Sequence, residues 1–480
     1  MLAFVPFYIK YLGIESYGLI GIFGVIQIWL SLIDGGITQV IIREVAGVGN
    51  KADGIQYIRN LIRSIEIMLY TILFIFTFVV WIGSNSLAVH WVHAESISIN
   101  EVAGAFSLMG VYAALGIVEN FYKSILIGCQ RQVMLNVAMS IIATVRGLGS
   151  LVLLLWVSQT IIDFFLWQVA LSLASVIFYM MSAYGSILKH PGKTCFSVDV
   201  LKPIRPFFLG TVAISFFGFL MSQSDKIILS KMVSLELFGF YTVAYLLSSS
   251  IRILAQPIDQ AICPKLIKYW KANDVARLID TYHKASQLTA VIVGGVGIFI
   301  IFFGGQVLEL WIGNKNTADN VYPILWILTV GMVLNVMMHG PGNIQMVLGR
   351  TTLGVKTNLL LAIIFLPLIY VLVLNYSVIG AAISWVLLNI GYVLVVPKLM
   401  HKEILVDGSN EWYIKDWLLP LLAAFSMASL LKIFIPELDS IFTKFIYLVF
   451  VLALLMGSAL ISAGRVRAMI FVLYETFFKK

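Results

Sequence analysis

Charged residues are scarce in this chain of 480 residues, where Asp, Glu, Lys and Arg together make up only 12%. That is about half of their usual share in a soluble domain. So low a content excludes a soluble enzyme, a disordered tail and a coiled coil, since each of these exposes a largely polar surface to water. A nucleic-acid-binding protein is excluded as well, although the formal net charge is +8, because the distribution of the basic residues is explained by membrane topology.

Cysteine is also rare, with residues at 129, 195 and 263 only. All three fall on or near the side of the membrane that the charges below assign to the cytoplasm, where no disulfide is expected. Their spacing fits no metal site. The sequence also lacks a Walker motif, a Ser/His/Asp set and a Cys/His cluster, so we expect neither an enzyme nor a metal protein. The start has no basic segment and no cleavage site, which predicts that no signal peptide is removed.

Apolar residues are abundant, at 60% of the chain, enough for at most about 14 spans of roughly 20 residues each. They form continuous runs bounded by Gly, Pro, Asn or charge, without strand alternation, which predicts helices rather than a barrel. The fold class is therefore an all-α polytopic membrane protein. We predict 13 full spans, at 17–40, 65–83, 102–127, 133–157, 161–187, 207–230, 237–263, 287–312, 322–348, 355–374, 378–400, 416–435 and 443–463.

Lys and Arg are distributed unequally between the two sides of these spans. One side carries 24 of them and the other carries 6, while Arg146 and Arg252 lie inside spans. The positive-inside rule makes the richer side cytoplasmic. The loops at 41–64, 188–206 and 264–286 are then cytoplasmic, as are both termini. Most of the basic net charge is therefore explained by the topology, because the Lys and Arg residues are concentrated on the cytoplasmic side.

The chain repeats itself at a constant offset of 221 residues. Its clearest matches are Lys10 with Lys231, Glu15 with Glu236, Gly18 with Gly239 and Gln39 with Gln260. Each copy would contribute a lobe of six spans, which predicts an N-terminal lobe at 1–190, a second lobe at 191–402, and two extra spans with a short basic tail at 403–480. Six is even, so both lobes enter the membrane from the same side and are related by an axis along the membrane normal. The span before Lys231 has only a short counterpart before Lys10, so the first helix is expected to be truncated.

Short motifs in both copies resemble a known family. Residues 11–19, YLGIESYGL, are similar to the signature that opens bacterial Wzx-type polysaccharide flippases. Asp34-Gly35-Gly36 with Arg43-Glu44 resembles a second pattern of these proteins, and Asp225-Lys226 with 239–241 resembles its second-lobe version. The resemblance covers about residues 1–400. The family belongs to the multidrug/oligosaccharidyl-lipid/polysaccharide exporter superfamily, with the MATE drug antiporters and the lipid II flippases. The truncated first helix departs from the pattern.

This resemblance implies two six-helix lobes around a central cavity that opens alternately to each side. The implied substrate is an undecaprenyl-pyrophosphate-linked oligosaccharide, flipped across the bacterial inner membrane for surface polysaccharides such as O-antigen or capsule. The implied partners are membrane lipids, a polysaccharide polymerase and glycosyltransferases, with no nucleic acid. No cofactor is expected beyond a coupling proton or sodium ion.

Two arginines lie near the centres of predicted spans, Arg146 in 133–157 and Arg252 in 237–263. Arginine cannot lose its charge inside a membrane, so each needs a carboxylate, water or an anionic ligand. One alternative is an internal ion pair. The other is a binding role toward a phosphate-bearing substrate, which the presence of one arginine in each lobe favours.

Polar residues also form helical stripes in both copies. Gln27, Ser31, Asp34 and Thr38 share one helix face, and Ser248, Arg252, Gln256 and Asp259 share the corresponding face at the offset of 221. We interpret these stripes as walls of a substrate cavity. The alternative is a dry, hydrogen-bonded seam between helices.

Other polar residues are candidates for a gate or for ion coupling. Glu119 and Lys123 are spaced as a helical ion pair, for which a structural role is favoured. Asp225 and Lys226 form either a gate or a solvated pair at the membrane surface. His339 lies in a row with Asn335 and Asn343 and either carries a proton or is simply hydrogen-bonded.

Three functions compete for this sequence. A flippase for a lipid-linked oligosaccharide fits the central arginines. A MATE-class drug antiporter transports cations and should have carboxylates at that depth. A membrane glycosyltransferase usually needs a large loop outside the membrane, whereas the longest loops here have about 20 residues. We therefore favour the flippase and keep the antiporter as the alternative.

Overall fold

The computed structural model describes residues 2–47, 52–187, 194–348, 351–404, 409–434 and 440–478. Within these ranges the chain is helical, and its single β-bridge joins His93 to Ser234. Contacts divide the chain into two compact units, which comprise Ala3–Gly239 and Phe240–Lys480. The lobe boundaries derived from the repeat stay a prediction.

A short 3-10 turn, Leu2–Phe4, precedes the helices of the first unit. These helices are α1 (Val5–Leu12), α2 (Ile14–Gly47), α3 (Ala52–His90), α4 (Ile99–Gly128), α5 (Gln132–Trp156), α6 (Ile161–Ser186) and α7 (Arg205–Met232). Gly13 separates α1 from α2 with a φ of 83°, a backbone conformation that other residues rarely adopt. A capping box of Ser98 and Glu101 starts α4, and the Thr160 side chain caps α6.

In the first unit, α4 packs against α2, α3 and α6, while α7 packs along α2. Residues of α4 such as Met109, Phe121 and Tyr122 are buried. The outer face of α3 is exposed rather than buried, and its Phe74 side chain is 72% exposed. Large apolar side chains with this exposure suit a surface that faces lipid, which supports the membrane assignment.

The second unit begins inside α8 (Leu235–Lys271). It continues with α9 (Val275–Thr289), α10 (Gly295–Ile312), α11 (Lys315–Met337), α12 (His339–Val347), α13 (Thr351–Ile404), α14 (Ser409–Glu411), α15 (Leu419–Ile433), α16 (Ile441–Ser462) and α17 (Gly464–Phe478). Two π-helical segments, 290–294 and 412–418, join α9 to α10 and α14 to α15. Helix α10 packs against α11, α15 and α16. The predicted basic tail after the last span forms a helix over residues 464–478.

Every predicted span overlaps helical residues in the described part of the chain, but the count of 13 is not confirmed. Among the described residues, ten helices are long and apolar enough to cross a membrane, or eleven with α2, whose halves meet at 48° between Leu30 and Asp34. Helix α7 is not one of the ten. The predicted spans 355–374 and 378–400 both lie in α13, where Ser377, with a φ of 53°, interrupts the helical backbone at the predicted boundary.

Candidate functional site

The guanidinium of Arg146, on α5, is held by side chains of α4 and α6. Its Nη1 donates a hydrogen bond of 2.5 Å to the Tyr112 hydroxyl, and its Nη2 donates one of 3.2 Å to Ser172. The guanidinium carbon also lies 5.3 Å from the centre of the Tyr112 ring, within cation–π range. The Arg146 side chain is 15% exposed, so most of its charge is satisfied within the first unit.

Glu119 supplies the negative charge for this cluster. Its carboxylate lies 2.5 Å from Lys123 Nζ and 3.7 Å from Arg146 Nη2, and it accepts a hydrogen bond of 3.0 Å from Ser175. The structure therefore places Arg146 in an internal ion pair, the first of the two alternatives derived from the sequence. The predicted pair of Glu119 with Lys123 is formed.

Asp34 lies at the bend of α2 and is buried. Its carboxylate accepts hydrogen bonds of 2.8 Å from Asn120 and 3.1 Å from Thr38. Asn120 follows Glu119 in α4, so the Arg146 cluster and Asp34 lie on adjoining faces of one helix. Counted together, the cations Arg146 and Lys123 balance the two carboxylates.

The polar stripe of α2 does not form one continuous wall. Asp34 and Thr38 belong to a hydrogen-bonded seam, which was the alternative interpretation, whereas Gln27 is exposed. The side chain of Ser31 lies outside the part of the chain that the structure describes. The cavity interpretation for this stripe stays a prediction.

The polar stripe of α8 is different, because Arg252 and Gln256 are both exposed. Asp259, one turn further along, accepts a hydrogen bond of 2.9 Å from Asn343, and its other oxygen lies 2.7 Å from His339 Nδ1. His339 begins α12, directly after the break at Met338. Within the described residues, Arg252 has no carboxylate within ion-pair distance, in contrast to Arg146.

The two repeats therefore share an arrangement of acid and amide. Asp34 on α2 is bonded to Asn120 on α4, and Asp259 on α8 is bonded to Asn343 on α12. At the offset of 221, Asp259 corresponds to Thr38, one helical turn beyond Asp34 on the same face. Sequence comparison alone missed this relationship, because the acids are not at equivalent positions.

Asp225 and Lys226 are buried near the end of α7, with exposed fractions of 4% and 9%. Lys226 Nζ donates a hydrogen bond of 3.0 Å to Gln223. These side chains are buried, whereas a solvated pair at the membrane surface, one of the two sequence interpretations, would be exposed to water. The gating role stays a prediction.

A buried carboxylate that sequence reasoning missed lies at Glu66, on α3. It accepts hydrogen bonds from Tyr122 of α4 and, over 2.9 Å, from Tyr184 of α6, and Arg63 lies 2.8 Å away. Tyr70 in turn lies 2.7 Å from the Tyr122 hydroxyl. A glutamate at the edge of an apolar run was the available signal. This network fastens three helices of the first unit together.

The second unit has a fully buried pair of its own. His283 Nδ1 lies 2.5 Å from Asp416, whose other oxygen accepts a hydrogen bond of 3.1 Å from Gln287. Nearby, Arg465 lies 2.9 Å from Glu411, and this hydrogen bond lowers the pKa of the Glu411 carboxyl. These contacts join the C-terminal helices to α9. No pattern in the sequence indicates a pairing across 133 residues.

The fold is shared with solved membrane transporters. The lipid II flippase MurJ in an inward closed conformation superposes with a TM-score of 0.74 at 14% identity, covering 98% of this chain and 97% of that chain. An inward-facing MATE multidrug transporter of the MOP superfamily gives a TM-score of 0.64 at 15% identity, covering 84% and 94%. Identities this low show the fold alone. The chain is thus a multi-pass membrane protein with the transporter fold of that superfamily.

Sequence comparison gives the family. The chain belongs to the polysaccharide biosynthesis protein family, which it matches over residues 10–320. A Shigella flexneri protein assigned as an O-antigen transporter is 24% identical over 78% of this chain and 87% of its own length. The capsular polysaccharide biosynthesis protein CapF of Staphylococcus aureus is 24% identical over 44% of this chain and 52% of that protein. The resemblance drawn from the sequence motifs is confirmed.

Proposed function

We propose that this protein flips lipid-linked oligosaccharides across a bacterial inner membrane, by alternating access, for the synthesis of surface polysaccharide. The family and the relative assigned to O-antigen transport support this function. The fold of a lipid II flippase supports a lipid-linked substrate. A polymerase and glycosyltransferases that make and use the same oligosaccharide are the proposed partners.

Arg252 is the observation that carries the proposal. It is exposed near the middle of α8, a helix of 37 residues, and no described residue neutralises it. A guanidinium at this depth cannot face hydrocarbon, since the energetic cost would be several kcal/mol. It must face water or an anion, and a pyrophosphate is an anion that a guanidinium binds through two hydrogen bonds. We assign Arg252 the contact to substrate phosphate, and Arg146 the ion pair that holds the first unit together.

Three variants of the purified protein in proteoliposomes test this assignment. The measurement is the translocation of a fluorescent undecaprenyl-pyrophosphate-linked oligosaccharide. Arg252→Ala should lose most of the translocation, while Arg252→Lys should keep part of it, because the charge survives without the two-pronged geometry. Ile253→Ala is the matched control, since Ile253 is 58% exposed on the neighbouring face of α8 and bears no charge.

Protein abundance separates binding from folding. Because Arg252 is exposed, Arg252→Ala should insert and accumulate like the wild-type protein. Translocation at the wild-type rate in Arg252→Ala would refute the phosphate contact. Reduced abundance of Arg252→Ala with unchanged activity per molecule would assign Arg252 a structural role instead.

The alternative function is a drug and cation antiporter of the MATE class. The fold of the multidrug transporter is the observation in its favour. Expression in a drug-sensitive host distinguishes the two functions. Resistance to cationic dyes, with no effect on surface polysaccharide, would favour the antiporter.

We also propose that Asp259 and His339 couple transport to an ion, which deepens the role assigned to the second repeat. Of the two described pairs between histidine and a carboxylate, His283–Asp416 is sealed, with exposed fractions of 1% and 0%. His339 and Asp259 are 25% and 28% exposed, and His339 lies at the break between α11 and α12. Water therefore reaches this pair, and the break with Pro341 and Gly342 allows a bend.

A further inference from the structure

A cavity of about 400 Å³ opens between α8, α9 and α17 in the second unit. Basic side chains from two helices line it, Lys265 from α8 and Arg277 and Lys284 from α9. Tyr269 and Thr281 line it too, as does Met469 of α17. The site proposed for substrate phosphate does not use this cavity.

Positive charge exceeds negative charge in this cavity. Asp280 is the one acidic lining residue, and it is already engaged by Lys284 at 2.6 Å and by Arg465 at 3.4 Å. Lys265 makes no ion pair with any described residue. Arg277 lies 3.4 Å from Asp274, but its side chain is 73% exposed, so this pair neutralises it weakly. Lys265 and Arg277 are therefore available to a ligand anion.

The position along α8 places the cavity at a membrane surface. A helix of 37 residues is about 55 Å long, whereas the hydrocarbon core is about 30 Å thick. The end that carries Lys265, Lys268 and Lys271 therefore extends into the headgroup region. Trp270 is exposed beside them, in the position that tryptophan favours at membrane interfaces.

Apolar side chains continue from the cavity onto α17. Ile470 and Phe471, next to Met469, are 43% and 62% exposed, and Arg465 and Arg467 start the same helix. A basic, partly apolar sequence of this kind is typical of helices that lie in the plane of a membrane surface. The ligand that fits is thus anionic at one end and apolar at the other.

We propose that this cavity binds the phosphate headgroup of an anionic phospholipid. Lys265 and Arg277 contact the phosphate, Tyr269 and Thr281 hydrogen-bond to the headgroup, and the acyl chains follow the apolar surface of α17. The site is independent of the flippase function proposed above. It fastens the C-terminal helix to the membrane surface through a bound lipid.

The test is a titration of the purified full-length protein in an uncharged detergent. Short-chain phosphatidylglycerol, phosphatidylcholine with the same chains and inorganic phosphate are added separately, and binding is measured by calorimetry. Phosphatidylglycerol should bind and phosphatidylcholine should not. The double variant Lys265→Gln/Arg277→Gln should bind phosphatidylglycerol about thirtyfold more weakly, from the usual contribution of each basic residue near an anionic membrane surface.

The matched control is Lys268→Gln/Lys271→Gln, which removes the same net charge from the same end of α8 outside the cavity. It should bind phosphatidylglycerol within a few-fold of the wild-type protein. Equal weakening in both double variants would overturn the site in favour of general charge attraction. Binding of inorganic phosphate as tight as that of phosphatidylglycerol would overturn the lipid as ligand. Both double variants change exposed side chains, so matching elution and melting profiles verify their folding.

Discussion

Gly239 lies so close to Ile14 that a Cβ atom at position 239 would be 2.5 Å from the Ile14 carbonyl oxygen. The reciprocal contact also exists, because a Cβ at Gly18 would meet the Leu235 carbonyl oxygen. The offset of 221 relates Ile14 to Leu235 and Gly18 to Gly239. The first turns of α2 and α8, both within the first unit, therefore cross with approximate two-fold symmetry. This close backbone contact explains the glycines at positions 18 and 239, which correspond in the two copies of the family motif.

Alanine at either glycine should destabilise the protein. Each Cβ would press on a backbone oxygen, which cannot rotate away as a side chain would, so the two helix starts must separate. We expect Gly18→Ala and Gly239→Ala each to lower stability by about 1–3 kcal/mol, the usual range for overpacking. The measurement is the melting temperature of the purified protein in detergent.

Gly24→Ala is the control for this pair. Gly24 lies in α2 as well, but a Cβ there would have no atom within 4 Å. This variant should be as stable as the wild-type protein or slightly more so, since alanine favours the helix. Equal melting temperatures for all three variants would contradict the close crossing.

The fold was largely predictable from the sequence because each membrane-spanning helix requires a long run of apolar residues. The predicted span 133–157 is α5, Gln132–Trp156, within one residue at each end. The predicted number of spans was not confirmed, because the hydropathy of the sequence does not show where a helix bends or is interrupted. A bend such as that in α2 and an interruption such as that at Ser377 depend on local backbone geometry, and neither changes the apolar content of the run.

The candidate site was less predictable, because its partners are distant in sequence. Sequence spacing found the pair of Glu119 and Lys123, four residues apart on one helix. It did not connect Glu119 with Arg146, or Asp259 with His339, because those pairs join different helices. Which face of a helix meets its neighbour is decided by packing of the whole unit, and one sequence does not show it.

Glu119 offers a test of the charge balance in the first unit. Glu119→Gln leaves Lys123 and Arg146 close together without their common carboxylate. Breaking a buried ion pair by removing one partner usually costs about 3–5 kcal/mol. We expect this variant to accumulate poorly in the membrane and to melt at a lower temperature.

The double variant Glu119→Gln/Lys123→Gln should recover part of that loss. It removes one cation together with the carboxylate, so the remaining charge is the Arg146 guanidinium with its bonds to Tyr112 and Ser172. If the single and double variants melt at the same temperature, the repulsion between Lys123 and Arg146 is not what destabilises the protein.

Cys195 tests the proposed orientation. Its side chain is exposed, whereas Cys129 and Cys263 are partly buried. The surrounding loop carries Lys189, Lys193 and Lys202 and is assigned to the cytoplasm. A membrane-impermeant maleimide should label Cys195 only after the cells are permeabilised. The Cys195→Ser variant shows how much signal comes from the other cysteines, and labelling of Cys195 in intact cells would reverse the topology.

The proposed coupling pair predicts a response to proton gradients. Histidine is the side chain best suited to carry a proton, and we propose that His339 does so while it is paired with Asp259. In proteoliposomes with an imposed pH gradient, the wild-type protein should translocate the lipid-linked oligosaccharide faster than without one. His339→Gln should still translocate but lose the acceleration, since glutamine can hydrogen-bond to Asp259 without carrying a proton. His93→Gln is the control, because His93 is exposed in the loop after α3 and should leave the acceleration unchanged. A gradient response that persists in both His339→Gln and Asp259→Asn would place the coupling group elsewhere in the protein.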